Sequence, residues 1–178
     1  MTGRSFYLVR LSLFAAFTAA VQLVGFPQPV TGPLINAVLL TVSGLMGAGP
    51  AILIGVVTPA AALVRGQLPP VLAVMVPFIA ISNALLILLF SGIRRGHRAP
   101  VGGRISVRDV AALVLAAAGK FLFLALSIRW LLPVLIGSRL PGEVAVLMMF
   151  PQLVTALAGG VIALLVLRMI GKSALWRE

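Results

Sequence analysis

The chain has 178 residues, of which 61% are hydrophobic and only 10% charged, and its mean hydropathy is +1.19. Soluble domains run at about half apolar and about a quarter charged, so this composition excludes an ordinary soluble domain and points to an integral membrane protein in a lipid bilayer. The net charge of +11 would indicate nucleic acid in a soluble protein. In a membrane protein it reflects Lys and Arg collected on cytoplasmic loops, and no nucleic-acid partner is expected. The chain has no cysteine and a single histidine, His97. That excludes disulfides, thiolate chemistry, iron–sulfur clusters and Cys/His metal sites, and no metal or cofactor is expected.

The first apolar segment, Tyr7–Gly25, follows Arg4. It reads as a transmembrane helix rather than a signal peptide, because further apolar segments follow and no small-residue cleavage site ends it. Its stretch "LFAAFTAA" spaces Ala15 from Ala19, and Ala16 from Ala20, by four residues. Such a stripe of small residues lets another helix approach closely. The second and third segments, Gly32–Met46 and Pro50–Val64, are short and are expected to tilt or to be partly re-entrant. The turn-forming runs "GFPQPVTGP" and "RGQLPP" place Gln28, Thr31 and Gln67 on outer loops, where they either close over a pocket or stand as ordinary solvated residues. The fourth segment, Pro70–Ser91, carries Asn83, and a basic cytoplasmic loop, Gly92–Arg108, follows. The fifth, Val110–Leu132, carries Lys120, and the sixth, Glu143–Met169, carries Gln152.

Charge sets the topology. With the N-terminus inside, Arg4, Arg10, Arg94, Arg95, Arg98, Arg104, Arg108, Arg168, Lys172 and Arg177 are cytoplasmic, and Arg65, Arg129 and Arg139 are outside. That distribution follows the positive-inside rule. The expected fold is all-α: a single domain over residues 1–178, an integral membrane bundle of six transmembrane helices with both termini cytoplasmic.

Lys120 belongs to neither side. By helical rise it lies about 18 Å from Arg108 and about 13 Å from Arg129. A lysine at that depth costs at least ~2.5–3.5 kcal/mol to insert. No acidic residue shares its level, since Asp109 and Glu143 lie at the two edges. A cavity holding an anionic or polar ligand would supply the missing partner; the alternative is a neutral or snorkelling lysine. Gln152, about 13 Å below Glu143, is expected at the same level, Asn83 somewhat deeper and Asn36 shallower. As amides among apolar residues these three should face the bundle interior, as ligand contacts or as interhelical glue. "LPPVLAVMVPF" and "LPGEVAVLMMFPQ" repeat a Met-x-Pro, at Met75/Pro77 and Met149/Pro151, which reads as a pair of proline-interrupted helices lining a substrate site.

Catalytic signatures are absent. There is no Walker loop, no G-x-S-x-G, no H-E-x-x-H and no intramembrane carboxylate pair. The chain is therefore not expected to be an enzyme, and any uphill transport would draw its energy from a partner.

The "LFAAFTAA" helix, the stretch "PQPVTGPLINAVLL…GLMGAGPAILIGVVTP" and "LPPVLAVMVPFIAISNALL" resemble the substrate-binding (S) components of energy-coupling factor transporters. The resemblance covers essentially the whole chain through loose motifs. It implies a multi-pass subunit of a prokaryotic cell membrane that binds a vitamin-like nutrient in an outward-facing pocket. It also implies partners, namely a transmembrane coupling subunit and two cytoplasmic ATPases, with Ala15, Ala16, Ala19 and Ala20 against the coupling subunit. The substrate-binding residues expected from depth and polarity are Lys120, Gln152, Asn83, Asn36, Thr31, Gln28 and Gln67. Competing readings are a membrane scaffold, in which Lys120 pairs with a partner's acid, and a self-sufficient small carrier.

Overall fold

The computed structural model describes residues 3–68, 70–94, 104–137 and 142–170. Arg95, His97, Arg98, Arg139, Lys172 and Arg177 lie outside the described residues. In chain order the elements are α1 (Gly3–Val24), α2 (Gln28–Met46), α3 (Ala48–Val64), a 3-10 segment (Pro70–Met75) and α4 (Val76–Arg94). Then come α5 (Val107–Leu126), a π-helical turn (Ser127–Leu131), α6 (Leu132–Ile136) and α7 (Gly142–Ile170). Among the described residues no strand is present. Five stretches are long and apolar enough to cross a membrane: Arg4–Val24, Gln28–Met46, Leu72–Arg94, Val107–Leu135 and Met149–Ile170. The apolar helix α3 is shorter, at 17 residues, where a perpendicular span takes about 20.

The second segment corrects the sequence reading. It is not short: α2 begins at Gln28 and runs for 19 residues. The run "PQPVTGP" looks like a loop, but Pro29 sits in the first turn of α2, where a missing N–H has no helical partner to lose. Gln28 and Thr31 are therefore helical, not loop residues. Within "GAGP", Gly47 alone separates α2 from α3, which its φ of +96° allows. The Met75/Pro77 site is also corrected. Pro77 is the second residue of α4, after the 3-10 segment, so it starts a helix rather than interrupting one. Pro151 does lie inside α7.

Packing is strongest between α2 and α7, α4 and α5, and α3 and α4. One apolar cluster joins α2, α4, α5 and α7 through Leu40, Leu86, Phe90, Leu113 and Leu164. A second joins α1, α2 and α3 through Val21, Leu39 and Ile54, and a third gathers Leu72, Met75, Leu124 and Leu132. Outward faces stay apolar: Leu13, Phe17, Leu53, Leu115, Leu122 and Val154 are all exposed. Apolar belts of this extent belong against lipid.

The start of α5 is capped and tied to the end of α4. Ser106 Oγ accepts from Asp109 N (3.2 Å), and Ser106 N donates to Asp109 Oδ2 (2.9 Å), a reciprocal cap on α5. Arg94 Nε at the end of α4 reaches Asp109 Oδ1 at 2.7 Å. Ser106→Ala is expected to lower stability by about 1 kcal/mol. A thermal melt in detergent reads this directly, and an unshifted melt would mean that the Arg94–Asp109 pair alone holds the junction.

Candidate functional site

The ends of α1 and α3 and the starts of α2 and α4 share one face of the bundle. From that face a cavity of about 330 Å³ enters between them. All seven polar residues singled out above line it: Gln28, Thr31, Asn36, Gln67, Asn83, Lys120 and Gln152. Gln28 is exposed at the rim, while Asn36, Asn83, Lys120 and Gln152 are buried. Thr31 Oγ donates to Phe26 O (2.7 Å) and so fixes the α1–α2 connection as well as lining the wall.

Lys120 is only 2% exposed. Its Nζ donates to Asn36 Oδ1 (2.9 Å) and to Asn83 Oδ1 (2.8 Å). The two amides are oriented by what their nitrogens meet. Asn36 Nδ2 donates to Gly32 O (3.0 Å) and Asn83 Nδ2 to Gly55 O (2.9 Å). Reversing either amide would set oxygen against oxygen and nitrogen against the amine. Hydrogen bonds to a charged group contribute about 1.5–3 kcal/mol each, so two of them offset an insertion cost of ~2.5–3.5 kcal/mol.

The expected depths need correction here. The side-chain oxygens of Asn36 and Asn83 meet at one level, that of the Lys120 amine. Counting from Gly32 put Asn36 one turn down. Counting from Gln28, where α2 actually starts, puts it about 12 Å down.

The acceptor for Asn83 comes from a proline the sequence reading passed over. Pro59 lies inside α3 and has no N–H to give to the carbonyl four residues earlier. That carbonyl, Gly55 O, accepts from Asn83 Nδ2 and from Thr58 Oγ (3.1 Å) instead. A polar residue followed by proline within an apolar helix, "VVTPAA", was the available signal.

Two further residues were missed. Gln22, near the end of α1, is 5% exposed; its Nε2 donates to Thr58 O (3.3 Å). Gln67 Nε2 donates to Gln22 O (3.2 Å), and Arg65 Nη2 donates to Leu23 O (2.9 Å), tying the turn after α3 to the end of α1. Gln22, Thr58 and Arg65 all line the cavity. Arg65 thus joins Lys120 as a basic residue lining the cavity, whereas Arg129 is exposed and is not among the lining residues. Trp130 is likewise exposed and away from the cavity.

No family model, curated protein or solved structure matches this chain. The functional reading therefore rests on the site itself. Ala15, Ala16, Ala19 and Ala20 are all exposed on α1, and none of them lines the cavity.

Proposed function

We propose that this chain is the substrate-binding membrane subunit of an importer of the energy-coupling factor type. In this reading it crosses a prokaryotic cell membrane six times, with both ends in the cytoplasm. The observation that carries the proposal is the cavity with Lys120 at its floor, inside a bundle whose outer surface is apolar. Its volume of about 330 Å³ falls at the lower end of the ~300–1,000 Å³ range of small-molecule pockets. It opens at the face opposite Arg94, Arg104 and Arg108, the outer face under the positive-inside rule. A solute is received there, and translocation draws on a coupling subunit and two ATPases, because the chain carries no nucleotide-binding loop. The exposed alanine stripe of α1 is the surface offered to the coupling subunit. A scaffold would pair Lys120 with a partner's acid, whereas here two amides of the same chain hold it.

Native mass spectrometry of the gently purified chain tests the reading. A retained small molecule, in one-to-one ratio and lost on competition, is the expected result. A chain that retains none after incubation with a vitamin library does not bind solute, and the proposal fails. Uptake into liposomes lacking any ATPase would instead favour a self-sufficient carrier.

A further inference from the structure

We propose that the cavity takes a small organic anion that also carries an N–H or O–H donor, with the anionic group at Lys120 and the donor at Gln22. This rests on the substrate-binding reading above and adds the class of substrate.

The charge of the lining is one-sided. Lys120 lies at the floor and Arg65 at the rim, and among the described residues no Asp or Glu lines the cavity. The partners of Lys120 are neutral amide oxygens, which hold the amine without supplying a counter-charge. A protonated amine has three donors, and Asn36 and Asn83 take two. The third is left for an occupant, and an anion also supplies the missing counter-charge.

The second requirement comes from Gln22. Its Oε1 is buried with no hydrogen-bond partner among the described residues, as is Oε1 of Gln67. Rotating the amides would not help, because each Nε2 already donates to a backbone carbonyl. The exchanged oxygen would then face that carbonyl. Both oxygens therefore remain acceptors, and buried acceptors require donors. Both side chains border the cavity, so an occupant that parts them slightly reaches both.

The two requirements sit on one wall. Lys120 bonds Asn83, Asn83 Nδ2 lies 3.5 Å from Thr58 Oγ, and Thr58 O takes the amide of Gln22. A fatty acid anion would satisfy Lys120 and offer nothing to Gln22. A neutral polyol would satisfy Gln22 and leave Lys120 without a counter-charge. An anion with a donor satisfies both.

The test uses the full-length chain in detergent, incubated with a water-soluble metabolite extract passed through a 1 kDa filter. Native mass spectrometry identifies what is retained. Two derivatives of that molecule are then compared with it: its methyl ester, and the form with its donor methylated. The expected molecule is an anion bearing N–H or O–H. Its ester should bind at least about tenfold more weakly, and its methylated form about three- to tenfold more weakly. Gln22→Leu should level the last difference, since the acceptor that reads the donor is gone. Should that variant fail to fold, the methylation comparison on the wild-type chain decides alone. Retention of a neutral, cationic or donorless molecule overturns this inference and leaves the binding reading standing. An anion whose methylated form binds equally well also overturns it. Retention of nothing overturns both.

Discussion

Lys120→Met is expected to lower both thermal stability and ligand retention. The amine is the donor to Asn36 Oδ1 and Asn83 Oδ1, and methionine leaves both oxygens buried without one. An unsatisfied buried acceptor costs about 1–3 kcal/mol, so the two together lower stability by about 2–6 kcal/mol. Ligand retention should fall about 10- to 100-fold, the equivalent of one charge-assisted hydrogen bond of about 1.5–3 kcal/mol. The two losses separate in a triple variant. Lys120→Met with Asn36→Leu and Asn83→Leu removes donor and acceptors together, which recovers much of the stability and none of the binding. Melting curves and native mass spectra of the single and triple variants make the comparison. A single variant that melts with the wild type would show that the amine does not brace the bundle.

Gly159→Ala should be more disruptive than its one added methyl suggests. A Cβ at Gly159 would lie 2.5 Å from Pro33 O, 2.7 Å from Asn36 Cβ and 2.9 Å from Ala37 N. Two of those atoms are backbone, so no side-chain rotation relieves the contact. The helices α2 and α7 must part, at a cost of about 1–3 kcal/mol or more. Asn36 moves with α2, so the Lys120 bridge loosens and ligand retention falls without any change to a lining side chain. Gly49→Ala in α3 is the control, because a Cβ there meets nothing within 4 Å. It is expected to be neutral or stabilising by up to about 1 kcal/mol, as alanine is the better helix former. Equal melts for the two alanine variants would mean that α2 and α7 are not in tight contact.

Much of the site was legible because lipid penalises polarity so heavily. Lys120, Asn36, Asn83 and Gln152 stand out in apolar runs, and burial inside the bundle is the outcome such residues share. Relative depth was less legible, because it depends on where each helix starts. Proline and glycine around Gly32 imitate a loop, and only the packed structure shows that α2 has already begun. Gln22 escaped notice for a similar reason. Two residues from the end of α1, it has the position of an ordinary interfacial glutamine, and its burial depends on Thr58 and Gln67 from distant parts of the chain. The contribution of Pro59 is an absence, a carbonyl without its usual partner. It becomes visible only when Asn83 is found in that place.

The Lys120 hub also bears on how the protein is made. Asn36 lies on α2 and Asn83 on α4, and both precede α5 in the chain. Synthesis therefore delivers the two acceptors to the bilayer before the donor emerges. The lysine can enter alongside helices already displaying oxygen at its depth, instead of facing hydrocarbon alone. A circular permutant beginning at α5 would reverse that order, and its lysine would have to wait in lipid for partners not yet translated.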